Sequence, residues 1–162
     1  MCESIALVVP SFCGVLHGKL VDGSRVIVVG HSAGGFGSLA LASLNPPGVV
    51  AVINFAGGRG SIGTERVCAP ERVRAAFYEF GLSSKIPSLW LYSKNDGYFG
   101  PSLARTWYEE YIRAGGRAQF VELPSDGVDG HQVFAEAGSM SLWTDAVARF
   151  LSQLGLFAHF ER

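Results

Sequence analysis

No run of like charge occurs anywhere in this sequence. Its 13 lysines and arginines offset 14 aspartates and glutamates to a formal net charge of −1. The basic face with which a nucleic-acid binder neutralises phosphates is therefore missing, and the expected partner is small and largely uncharged. Cysteine is also scarce. Cys2, Cys13 and Cys68 are an odd number at wide spacing, with no CxxC pair and no His/Cys cluster at zinc spacing. Neither a disulfide framework nor a metal site is expected, and incidental thiols in a reducing compartment fit better. Long apolar runs are lacking too. The stretch from Ile5 to Leu16 is interrupted by Pro10 and Gly14, is too short to span a bilayer, and has no lysine or arginine before it. Phe12 before Cys13 is not the small residue of a lipoprotein cleavage site. A soluble, cytoplasmic chain without membrane association is expected.

There is no internal repeat and no Pro/Gly/Ser linker. With 162 residues, 48% of them hydrophobic, the chain has the material for one domain, 1–162, with a buried core. Short β-branched runs alternate with amphipathic stretches, the pattern of a parallel sheet covered by helices. Arg25 to Gly30 holds four consecutive branched residues, as a strand buried on both faces would. A helix from Phe36 to Leu44 follows and ends at Asn45-Pro46-Pro47, since proline cannot continue it. Further strands are expected at Val49–Phe55, Pro87–Tyr92 and Ala118–Leu123. Helices are expected at Pro70–Gly81, Pro101–Ala114 and from Gln132 or later to Leu154, with Gly138 a point of interruption. Ile5–Val9 reads as a strand and Val15–Val21 as the end of a helix.

Gly30-His31-Ser32-Ala33-Gly34 matches G-x-S-x-G, set between a strand and a helix. To lift the serine hydroxyl clear of a sheet the chain must turn sharply through a strained conformation, which brings the residues two before and two after it close together. Glycine at both positions suits that geometry. The helix beyond directs backbone N–H groups at the reacting centre, and the Ala33 amide is an oxyanion-hole donor in this reading. Two blander readings exist: a glycine-rich turn in which Ser32 only caps the helix, and a phosphate-cradling loop. A dinucleotide fingerprint would need glycine where Ser32 stands.

A nucleophilic serine needs a base and an orienting acid. Asp96 lies just past the third strand and His131 in the loop after the fourth, which is the order serine, acid, histidine at successive strand ends. Asp126 and Asp129 are rivals, but they share a loop with His131 and are poorly placed to reach its far ring nitrogen. His17 precedes the serine and His159 lies beyond the last helix. His31 reads as a filler of the turn, its ring directed away from Ser32. Gly57 to Gly60 and Tyr98-Phe99 adjoin the strand ends without being assigned a role.

Arg25-Val-Ile-Val-Val-Gly-His-Ser-Ala-Gly-Gly35, Leu91-Tyr-Ser-Lys-Asn-Asp-Gly97 and Asp129-Gly-His-Gln-Val-Phe134 together resemble the α/β-hydrolase superfamily, and within it the dienelactone-hydrolase-like branch, over residues 22–154. The resemblance implies an α/β fold: a mostly parallel sheet flanked by helices, a partial α/β-hydrolase fold from the nucleophile strand onward. It implies Ser32 as nucleophile, His131 as base and then acid, and Asp96 as the carboxylate holding the imidazole. It further implies hydrolysis of an ester or related acyl bond of a small molecule through an acyl-enzyme, without a cofactor. Dienelactone hydrolases proper carry cysteine at the nucleophile position, so Ser32 points toward esterase-type or peptidase-type relatives.

The departure is upstream. Only 31 residues precede Ser32, and no His-Gly-Gly-type loop among them offers a second oxyanion donor. Four or five strands make an incomplete sheet with an open edge and uncovered apolar surface. That predicts a truncated gene product, a partial reading frame, or a homodimer that covers the incomplete sheet. The alternative function is a truncated, non-catalytic binding or interaction domain.

Overall fold

Branched side chains lose little by being extended and pack well on a pleated surface, and Val26 to Val29 accordingly open β1 (Val26–His31). A computed structural model describes residues 23–125, 127 and 129–156. The expected strand at Ile5–Val9 and helix end at Val15–Val21 lie outside the described residues, as do Cys2, Cys13, His17, Asp126 and His159. After β1 come α1 (Ala33–Ser43), β2 (Val49–Phe55), β3 (Ser61–Gly63), β4 (Arg66–Val67), α2 (Pro70–Ser83), β5 (Ser88–Ser93), α3 (Pro101–Arg113), β6 (Ala118–Leu123) and α4 (Met140–Gln153). Pro70 and Pro101 open their helices, where proline's preset φ helps and its missing N–H costs nothing.

The main sheet runs β1-β2-β5-β6, every pair parallel. Strands are added in one direction only. Crossovers of one hand then place all three connecting helices on the same face. The side chains obey that geometry. Val52, Trp90, Tyr92 and Phe120 face α1, α2 and α3, where Phe36, Phe77, Trp107 and Tyr111 complete an aromatic core. Phe77 stacks on Trp107 with ring centroids 5.0 Å apart and meets Trp90 at 5.3 Å. The odd-numbered partners Ala51, Ile53, Phe55, Leu89, Leu91 and Leu123 face the other way, onto Ala146, Phe150 and Leu151 of α4. Among the described residues that second face has one helix to cover it, and Val29 of β1 is 47% exposed. Among the described residues no helix is long and apolar enough to cross a membrane.

Three features go beyond or depart from the expectations. The residues after the Gly57–Gly60 loop form a small antiparallel hairpin, β3–β4, whose turn holds Glu65 at a positive φ of 56°. Too short to show periodicity, it left no pattern to read. The last helix starts at Met140, after two single 3-10 turns at Gly130–Gln132 and Ala137–Ser139, so Gly138 lies ahead of the helix and does not interrupt it. Cys68, expected as an incidental thiol, is disulfide-bonded.

Candidate active site

Ser32 stands between the end of β1 and the start of α1 at φ 55° and ψ −124°, a conformation costly for any residue with a Cβ. Three backbone bonds hold it there. Its N–H donates to the Phe55 carbonyl at 2.9 Å, and its carbonyl accepts from Phe36 at 3.1 Å and from Gly58 at 3.2 Å. It occupies the N-cap position of α1 but makes no capping bond, so its hydroxyl is free to serve elsewhere. Ala33 and Gly34 are exposed beside it, and the opening N–H groups of α1 have no carbonyl partner within the helix.

The glycine requirement is not shared as the motif suggests. A Cβ at Gly30 would lie 2.2 Å from the Gly34 carbonyl oxygen, so that glycine is obligatory. At Gly34 a Cβ would meet nothing within 4 Å, whereas at Gly35 it would lie 2.3 Å from Asn54 Oδ1 and 2.8 Å from Gly57 Cα. The tight packing is thus between α1 and the end of β2. There the buried Tyr92 hydroxyl donates to the Gly57 carbonyl at 2.6 Å and accepts from Asn54 Nδ2 at 3.3 Å. Burial pushes the Tyr92 phenol well above its usual pKa, so it remains a donor.

Asp96 is 2% exposed in the turn after β5. Its Oδ1 accepts from the Tyr98 and Phe99 amides, both at 2.8 Å, which fixes the carboxylate's orientation. His131, 4% exposed, sits in the Gly130–Gln132 turn after β6. Its Nδ1 is 3.1 and 3.2 Å from the two Asp96 oxygens, and its Nε2 is 3.0 Å from Ser32 Oγ. An ionised carboxylate only accepts, so Nδ1 carries the proton and Nε2 of a neutral ring accepts from the serine hydroxyl. The structure thus brings all three residues into one hydrogen-bonded chain, with Ala33 next to the serine.

His31 and Asp129 stand outside the hydrogen-bonded chain and bond the backbone of His131. The His31 ring turns to the His131 loop, where Nε2 donates to the His131 carbonyl at 2.6 Å. Asp129 accepts the His131 and Gly97 amides on Oδ1 at 3.0 and 2.9 Å. Strand parity was a usable signal for the first, because odd-numbered β1 residues face the side on which the chain returns after β6. Tyr98, 46% exposed, places its ring centroid 4.4 Å from that of His131, and the buried Phe99 packs at 5.5 Å and over Gly58. A surface depression of about 340 Å³ along α3, lined by Pro101, Arg105, Glu109 and Glu122 among others, includes none of the three chain members.

No protein-family model matches the chain, and no curated protein does. Solved structures match in fold. A thermophilic esterase from Thermogutta terrifontis with propionate bound aligns with 87% of this chain and 60% of its own, at TM-score 0.61 and 19% identity. A Klebsiella pneumoniae protein assigned as a dienelactone hydrolase aligns with 88% of this chain and 56% of its own, at TM-score 0.59 and 18% identity. The acylaminoacyl peptidase of Pyrococcus horikoshii aligns with 92% of this chain and 27% of its own, at TM-score 0.63 and 15% identity. The chain therefore spans little more than half the length of the first two, and about a quarter of the third. At such identities the likeness is one of fold.

Proposed function

From a partial α/β-hydrolase fold of the dienelactone-hydrolase-like type, we propose that this chain is a serine hydrolase cleaving an ester or related acyl bond of a small molecule. The observation that carries the reading is the Ser32–His131–Asp96 chain, with contacts of 3.0 and 3.1 Å at the C-terminal rim of the sheet. Ser32 Oγ attacks the carbonyl carbon while its proton passes to His131 Nε2. Asp96, buried and held by two amides, stabilises the imidazolium that forms. The Ala33 N–H stabilises the oxyanion of the tetrahedral intermediate; one such donor is typically worth about 2.7–4 kcal/mol in the transition state. The imidazolium then gives its proton to the leaving group. Water, activated by the same imidazole, releases the acid. The hydrolase character of the three fold neighbours supports this reading.

A fluorophosphonate probe tests it. Covalent labelling at Ser32 is expected, with loss in Ser32→Ala and near-loss in His131→Ala. Well-folded wild-type protein that stays unlabelled would overturn the hydrolase reading in favour of a non-catalytic binding domain.

A further inference from the structure

The imidazole of His131 is carried by a three-residue 3-10 turn, a segment with little stability of its own. Residues on both sides of it, 124, 125, 127 and 129 before and 134–138 after, are exposed. Packing anchors the chain after the turn, where Val133 is buried against α4 and Phe134 meets Phe55 at 4.7 Å, but not the segment before it. A base that must meet both a serine oxygen and a carboxylate has to be held within about 0.5 Å of its working position.

We propose that Asp129 and His31 are positioning residues that hold the two peptide groups of His131, one from each side of the site. The inference rests on the catalytic reading of His131. Asp129 Oδ1 accepts the His131 N–H at 3.0 Å and, with the same oxygen, the Gly97 N–H at 2.9 Å. It therefore caps the turn and ties it to the residue next to Asp96. On the other side His31 Nε2 donates to the His131 carbonyl at 2.6 Å, which ties the turn to the residue next to Ser32. The chain neighbours of the imidazole's two partners are thus bonded to the imidazole's own residue, directly or through one carboxylate. A shift of the turn away from either partner has to break one of these bonds.

Neighbouring residues leave room for this arrangement. A Cβ on Gly97 would come within 3.0 Å of Asp129 Oδ2, and one on Gly130 would fall 2.3 Å from Ser93 Cβ. Gly130 N–H also reaches the Asn95 carbonyl at 3.2 Å, reinforcing the link to the acid loop. The His31 ring lies between the His131 and Phe134 rings, with centroids at 5.0 and 6.0 Å, which fixes the direction of its donor.

The test uses paired variants of the full chain and two readouts. Asp129→Ala and His31→Leu remove the bonds. Asp129→Asn keeps the acceptor oxygen, and His31→Gln places an N–H donor near the position of Nε2. The ring-nitrogen correlation spectrum of His131 reports its tautomer whether or not the protein is active. Wild type, Asp129→Asn and His31→Gln are expected to show the Nδ1–H form. The two removing variants should drift toward the mixture of free histidine while melting near wild type. On an activated ester, the removing variants should lose about 10- to 100-fold in kcat at little-changed KM, with the conservative pair recovering most of it. An averaged tautomer in wild type would overturn the proposal, as would an unaltered tautomer in both removing variants. If wild type neither labels nor turns over while the tautomer pattern holds, the catalytic reading fails and the positioning stands.

Discussion

Ser32 shows how one residue's place in a sharp turn sets a local cost. Its φ of 55° and ψ of −124° lie in a region open to glycine and strained by about 1–3 kcal/mol for other residues. The three backbone bonds to Phe55, Phe36 and Gly58 hold it there because the surrounding elements leave the chain no other route. Replacing it by glycine should relieve the strain, offset by glycine's extra unfolded-state entropy of about 0.5–1 kcal/mol. Ser32→Gly is therefore expected to unfold at higher temperature than Ser32→Ala, by about 1 kcal/mol in stability, although both lose the proposed nucleophile. Equal melting temperatures would mean that the backbone relaxes once the hydroxyl is gone.

At the scale of elements, the site depends on how closely α1 sits against the end of β2. That contact explains why two adjacent glycines should respond in opposite ways. Gly34→Ala, with open space for its methyl group, is expected to stabilise by about 0.5 kcal/mol through reduced chain entropy. Gly35→Ala, which would collide with Asn54 and Gly57, should destabilise by about 1–3 kcal/mol or more. Urea denaturation of the two variants separates these outcomes. Tyr92 anchors the same junction, and Tyr92→Phe would leave the Gly57 carbonyl and Asn54 amide short of a partner, a loss of about 1–3 kcal/mol. Burial, the largest cause, raises the phenol's folded pKa above its unfolded value of about 10. The folded state then keeps a proton that the unfolded state releases. This contribution is fully present below about pH 10 and declines as the pH rises further. Tyr111 shifts in the same direction, also chiefly by burial. In Tyr92→Phe the alkaline fall in melting temperature should be shallower than in wild type; an unchanged slope would assign it to other groups.

At the scale of the whole molecule, the four-stranded sheet carries the three members of the chain at its rim and one assigned oxyanion donor, Ala33. One donor of this kind is typically worth about 10²–10³ in kcat, and Ala33 is the one assigned among the described residues. The sheet also determines what each face can become. Among the described residues, three helices close an aromatic core on one side, while α4 covers the other and leaves Val29 exposed near the β1 edge.

Much of this was legible in the sequence, for a local reason. β1 and β2 are runs of branched residues and β5 and β6 centre on aromatic and aliphatic ones, each long helix is bracketed by proline or glycine, and Gly30 to Gly34 marks the turn in five residues. The order of Ser32, Asp96 and His131 at successive strand ends followed from chain direction in a parallel sheet. Other features depended on contacts that no local pattern records. The bond from His31 to His131 spans 100 positions. The double acceptance by Asp129 links two loops, and Gly35 rather than Gly34 is the crowded glycine because Asn54 of another strand presses on it. Periodicity and turn chemistry are properties of neighbours along the chain, so the sequence alone determined the main-sheet strands, the long helices and the order of the candidate residues. Hydrogen-bond partners and close packing depend on distance in space, and only the tertiary structure decided which side chains hold the imidazole of His131 in place.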